Sequence, residues 1–287
     1  MKRHEGTKAR RHEGANNLFD LSCIRLFSPF FPFSLFLFAF SLYYLVGCRL
    51  DPTDEPEPDR VVVLNFTARP LSGSLLKAKA TDEEDFIENI LLYGVNNKDT
   101  VVYTYSISTN QSLSGISLVI PRKVKSLYAI ANPTSDIEEK EPLSVSDLMD
   151  LICDYSEAPQ SPFLMSGMAE ISAIINLELV RAIAKIEIAG DDFIIESVTV
   201  INTPAKGYIF SRKPLSVPTF DRITYSYSGN SAIYIAESNG QNPISLFVRG
   251  YYHGIFTAYT IVITDGGVPV DIARNTYYPV NISQNTQ

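Results

Sequence analysis

Among the side chains that could do chemistry here, the thiol of Cys48 has the most telling neighbours. It closes the run Leu42-Tyr-Tyr-Leu-Val-Gly-Cys48. Leu45, Val46 and Gly47 give the order apolar, small or apolar, Gly or Ala, Cys. A thiol placed so can take a diacylglycerol, and Gly47 lets a peptidase reach the bond it cuts. The acylated cysteine then becomes the first residue of the chain. Cys48 is thus predicted to be a lipidation site. The other thiols, Cys23 and Cys153, share no candidate domain with each other or with Cys48, so no disulfide framework or CxxC metal site is on offer. Cys153 reads as a small buried hydrophobe within an amphipathic helix.

The remaining chemistry is sparse. His253 is the only histidine after Cys48 and stands in "RGYYHGIF", a strand-and-turn setting that predicts a structural role. No HExxH, GxSxG or Walker-type loop occurs. Ser166 in "MSGM" lacks the glycine pattern of a nucleophile. The acidic run "TDEED" (81–85) lacks the alternation and central glycine of a calcium loop, and is predicted to be a solvated loop. "DTV" (99–101) fits a short O-glycosylation pattern. No cofactor, metal site or catalytic residue is predicted, and the chain does not read as an enzyme.

The elements around Cys48 fit the lipidation reading. Residues 2–14 contain RHEG twice, eight residues apart, which predicts a true start downstream. The apolar run from Phe27 to Gly47 is interrupted by Pro29 and Pro32. The stretch after Pro32 suits the apolar segment of a signal peptide and is short for a spanning helix of roughly 20 residues. After Cys48 comes "DPTDEPEPD" (51–59), an extended acidic tether. Residues 1–47 thus form an extension and signal peptide, and 48–59 the tether. From residue 48 onward the chain carries 18 Lys/Arg against 29 Asp/Glu. Such an acidic balance argues against nucleic acid or an anionic membrane surface as the main partner.

Beyond the tether, short β runs alternate with turn residues. They begin with "VVVLNFTA" (61–68), "FIENILLYGV" (86–95) and "TVVYTYSI" (100–107). They resume with "AIINLELV" (173–180) and "AIAKIEIA" (182–189) after one helix predicted at 144–155, with Ser144 or Ser146 as its cap. The alternation at 183–188 predicts a wet face with Ile183, Lys185 and Glu187, and a dry one with Ala184, Ile186 and Ile188. "DGG" (265–267) predicts the turn between the last two strands. About fourteen strands predict two β-sandwiches, 60–175 and 176–287, with the loop 211–222 as the rival boundary.

Five segments together resemble the fimbrillin family, the type V pilus subunits of Bacteroidales-type bacteria. They are "ATDEEDFIENILLYGV" (80–95), "SLYAIANP" (126–133), "FLMSGMAE" (163–170), "LVRAIAKIEI" (179–188) and "IARNTYYPVNI" (272–282). The resemblance implies an all-β chain of two transthyretin-like, Greek-key β-sandwiches with one short helix in the first. It implies export as an outer-membrane lipoprotein, held through lipid on Cys48. It also implies proteolysis after a basic residue near the first strand, so that other fimbrial subunits fill the vacated groove by strand exchange. "VVVLNFTA" is then the strand removed. Arg69 follows it, but Pro70 resists trypsin-like cleavage, which leaves Lys77 and Lys79. Cleavage at Arg60 frees the chain from lipid and leaves the strand in place. On this resemblance the chain is short for a shaft subunit, so an anchoring or accessory subunit that keeps its lipid is the variant reading. The rival from another class is a surface glycan-binding lipoprotein of a nutrient-uptake system. Such modules display exposed Trp or Tyr, whereas Trp is absent here and the tyrosines fall mostly within strand patterns.

Overall fold

The computed structural model describes residues 58–73, 81–108, 112–190, 192–213, 215, 221–229 and 232–282. The apolar run, Cys48, Lys77 and Lys79 lie outside the described residues.

Strand β1 (Arg60–Ala68) sends Val62, Leu64 and Phe66 to one side at the two-residue period of a strand. It runs antiparallel to β4 (Ile116–Ile120) and parallel to β8 (Ile174–Arg181). Opposite them lie β2 (Asn89–Val95), β3 (Val101–Ser108), β5 (Ser126–Ala131) and β7 (Met165–Glu170). The seven strands take the order β3-β2-β5-β7-β8-β1-β4. The β7–β8 join is only two residue pairs wide, Met165–Arg181 and Ser166–Val180. At that join the sheet folds over into two layers, which close on a common apolar core from β1, β2, β4, β5 and β8.

β2 and β5 are buried on both faces. Their second face, with Leu91, Tyr93, Val95, Tyr128 and Ile130, is covered by α1 (Ser135–Glu138), α2 (Val145–Met149) and β6 (Ile152–Asp154). The sequence predicts one helix over 144–155; the structure keeps its start and cuts its length. Ser144 caps α2 with a reciprocal bond pair to Asp147, but the helix ends at Met149. Ile152–Asp154 pairs instead with β11 (Lys206–Tyr208), so Cys153 sits on a strand. A partner more than fifty residues away overrides the local helical pattern there.

The chain changes sheets at Ala182, between β8 and β9 (Ile183–Ala189). That point lies a few residues beyond 175 and well before 211–222. β9 is flanked by β13 (Ala232–Ala236) and β18 (Tyr277–Asn281). The facing layer runs β12 (Arg222–Ser228), β10 (Phe193–Pro204), β14 (Ser245–Tyr252), β15 (Ile255–Val262). A second core fills the space, with Ile186, Ile188, Val198, Val200, Leu246 and Val248 at its centre. The turn at Gly266–Gly267 does not lead to the last long strand. It closes a small ribbon of β16 (Thr264–Asp265) and β17 (Val268–Pro269), where both glycines take positive φ. The described part is thus nearly all β, arranged as two sandwiches.

Candidate functional site

The candidate site is the slot that holds β1 and the polar seam at its exit. β1 is an inner strand, so every alternate residue enters the core and both edges are paired. Burial of Val62, Leu64 and Phe66 contributes about 1.5–3 kcal/mol each, and β4 has no other strand neighbour. Without β1 an apolar groove would open between β4 and β8, two strand spacings wide.

Arg60 opens β1 opposite Ile120, and its guanidinium donates to the carbonyl of Val124. At the exit, the Arg69 amide donates to Leu179 O at 2.8 Å, and its side chain meets Glu178 at 2.7 Å in the open. Arg181 is 1% exposed and grips the same place from below. Its Nη1 donates to Arg69 O at 2.8 Å and to Asn275 Oδ1 at 2.7 Å, its Nε donates to Glu84 O, and its Nη2 pairs with Asp85. Asn275 Nδ2 donates to Pro70 O at 2.9 Å, and Ser72 exchanges backbone bonds with Asn275 and Tyr277. The chain leaving β1 is therefore stitched to both sandwiches. At Gly73, φ is +104°, and a Cβ would stand 2.6 Å from Tyr277 O, so only glycine fits.

Next to this seam lies a buried ion pair. Lys185 Nζ is 2.7 Å from Glu84 Oε1, with both side chains under a tenth exposed. Tyr234 donates to Glu84 at 2.5 Å, and Thr81 N donates to its other oxygen at 3.0 Å. Burial pushes the Glu84 carboxyl up, but the Lys185, Tyr234 and Thr81 bonds outweigh it and hold the group below the usual range. This corrects two sequence expectations. "TDEED" is not a fully solvated loop, because Glu84 is buried in it, and the face of β9 with Ile183 and Lys185 is not wet. The Glu84 carboxylate is what lets Lys185 go inside. A second buried pair, Arg274–Glu237, also ties down the carbonyls of Tyr208 and Ile209.

The five resembling segments meet in this framework. Thr81, Glu84 and Asp85 come from the first; Arg181 and Lys185 from the fourth; Arg274 and Asn275 from the fifth. Asn132 ends β5 at a φ of 54° and bonds Glu88 N, Phe86 O and Phe163 O. Ser166 is buried, and its hydroxyl donates to Ile209 O at 2.7 Å. Sequence reasoning gave Ser166 no nucleophile role, placed Lys185 on a wet face, and assigned no site role to Arg181 or Arg274. For Arg181 and Lys185 the signal was present: charged residues inside largely apolar strand runs. Arg274 lies in a turn before β18 and carried no such signal.

The remaining candidates stand apart. His253 is exposed in the β14–β15 turn at a φ of 47°, 3.8 Å from Asp192. Cys153 is buried, its thiol on Gly207 O, and burial pushes its pKa to about 11. Thr100 of "DTV" is exposed after a turn at Asp99. Among the described residues no group of His, Cys, Asp and Glu could hold a metal ion.

No protein-family model matches the chain, and no curated protein matches it in sequence. Solved structures do match. A candidate cell adhesion protein from Bacteroides eggerthii is similar at a TM-score of 0.58 and 16% identity, over 79% of this chain and 86% of that one. The tip fimbrial protein Mfa3 from Porphyromonas gingivalis, with C-terminal truncation, gives 0.54 and 15%, over 79% and 97%. A fimbrilin from Porphyromonas gingivalis gives 0.54 and 12%, over 79% and 91%. The chain has the β-sandwich fold of these fimbrial and adhesion proteins.

Proposed function

We propose that this chain is a fimbrial subunit of the fimbrillin family, structural, accessory or anchoring, that supports cell adhesion at the bacterial surface. On this reading it is exported as a lipoprotein, carries lipid on Cys48, and reaches the outer membrane before assembly. Its partners are other fimbrial subunits, and its two domains are the sandwiches that meet at Ala182.

The observation that carries the reading is β1 itself, an inner strand at the front of a fold shared with fimbrial proteins. Its loss opens a groove that a strand from another subunit can refill through ladder bonds and alternate side chains. Burial of Val62, Leu64 and Phe66 contributes about 5–9 kcal/mol before the entropy of ordering the strand is set against it. A vacated subunit therefore has a strong drive to capture a replacement. Both Arg60 and Arg69 have their peptide groups engaged in the ladder or the seam. That favours Lys77 or Lys79 as the processing point, since cleavage there releases β1 and the seam strand together.

Treating the purified lipoprotein with trypsin tests this. Cleavage after Lys77 or Lys79 is expected to give a ladder of SDS-resistant multimers. If cleaved chains stay monomeric, the polymerising form is refuted and the anchor form, with lipid and β1 retained, is left.

A further inference from the structure

β15 is the outer strand of its layer and pairs only with β14. Its eight residues, IFTAYTIV, include no charge and no proline. Native edge strands are usually guarded by a lysine, a proline, a bulge or a cover. Here the register with β14 runs unbroken from Ser245–Val262 to Tyr252–Ile255. At one end Ile255 and Phe256 are 70% and 54% exposed. Ile194, Tyr251 and Phe256 are lateral neighbours on the same open face, with the Tyr251 and Phe256 rings 5.8 Å apart. The opposite edge strand, β12, differs: it begins at Arg222, whose guanidinium bonds Asn202, Ser238 and Asn242.

We propose that β15 is a self-association edge, pairing antiparallel with β15 of a second copy of this chain about a two-fold axis at Tyr259. Such an axis runs normal to the sheet and keeps each face on its own side, so residues equidistant from Tyr259 oppose one another. On the open face Phe256 meets Val262 and Ala258 meets Thr260. On the inner face Ile255 meets Ile263 and Thr257 meets Ile261. Continued past the strand ends, the same register brings the His253 turn of one copy toward Asp265 of the other, twice. An imidazole N–H and a carboxylate are complementary there, with Asp192 of the first copy 3.8 Å from the same imidazole. Shifting the axis to Ala258 would set Val262 against Gly254 and Phe256 against Thr260, which leaves the apolar ends unmatched. The self-complementarity of this one register is what commits the edge to a second copy over an unrelated strand.

Light scattering on the untreated full chain tests the proposal without involving loss of β1. A monomer–dimer equilibrium is expected, tightening with salt because the acidic copies repel. Ala258→Lys is expected to weaken it by about tenfold, since it places a lysine at the centre of the pairing from each side. Thr260→Asp alone is expected to weaken it as well. The combination A258K/T260D sets each new lysine opposite the partner's aspartate and is expected to restore most of the affinity. Unchanged melting of each variant shows that the fold is kept, both positions being exposed. A chain that stays monomeric at all concentrations overturns the proposal. So does a dimer indifferent to A258K, or a double variant as weak as the two losses multiplied.

Discussion

Replacing Lys185 by Met probes the seam most sharply. The side chain keeps nearly the same length, so packing on β9 is preserved while the charge is removed. Glu84, 2% exposed, then keeps its bonds from Tyr234 and Thr81 but loses its cation. Removing one partner of a buried pair costs about 3–5 kcal/mol, and the two surviving bonds place this case near the lower end. For a chain of this size that is a drop in Tm of roughly 6–12 °C. The reverse variant, Glu84→Gln, leaves Lys185 buried and is expected to cost a similar amount. Together, K185M and E84Q remove both charges, and the double variant is expected to cost less than either single one. Urea melts of the four proteins at pH 7 give the cycle. Single variants that cost under about 1 kcal/mol, or a double variant that costs their sum, would refute the buried coupling.

Further expectations rest on the same geometry. The carboxyl of Glu84 is depressed on folding, so its stabilisation is complete above the unfolded carboxylate range near pH 4.5 and fades as pH falls through the folded value. The advantage of wild type over K185M in acid melts should therefore shrink as pH falls through the folded Glu84 value, which lies below 4.5. Arg274→Lys cannot hold Glu237 together with the carbonyls of Tyr208 and Ile209, and a loss of about 2–4 kcal/mol by urea melt is expected. Gly167→Ala sets a Cβ 2.2 Å from Glu178 O, at the narrow β7–β8 join, and about 1–3 kcal/mol of strain should appear in the same assay. Cys153, with its pKa pushed to about 11, should resist alkylation at pH 8 until the chain unfolds, as read by peptide mass mapping.

Much of this fold was legible because sandwich strands repeat every two residues. Val62, Leu64 and Phe66 announce β1, and Ile175, Leu177 and Leu179 announce β8. What failed to show was decided by distant partners. Lys185 looks like a solvent residue until Glu84, a hundred positions earlier, is placed against it. "TDEED" looks like a loop because no local pattern marks which of its acids turns inward. Ile152–Asp154 reads as the end of a helix because its strand partner, Lys206–Tyr208, lies far along the chain. The resembling segments were visible as fragments, and only the fold explains them: they carry the charges and amides that tie the first sandwich to the second.

Whether β1 can leave its slot and be replaced decides the proposed function, and hydrogen exchange measures this most directly. After cleavage beyond β1, the amides of β4 (Ile116–Ile120) and β8 (Ile174–Arg181) should lose protection. A peptide with the sequence RVVVLNFTA should restore it, whereas one with aspartate in place of Val62, Leu64 and Phe66 should not. If β1 stays bound and β4 and β8 stay protected after cleavage, with no exchange for added peptide, strand exchange is contradicted.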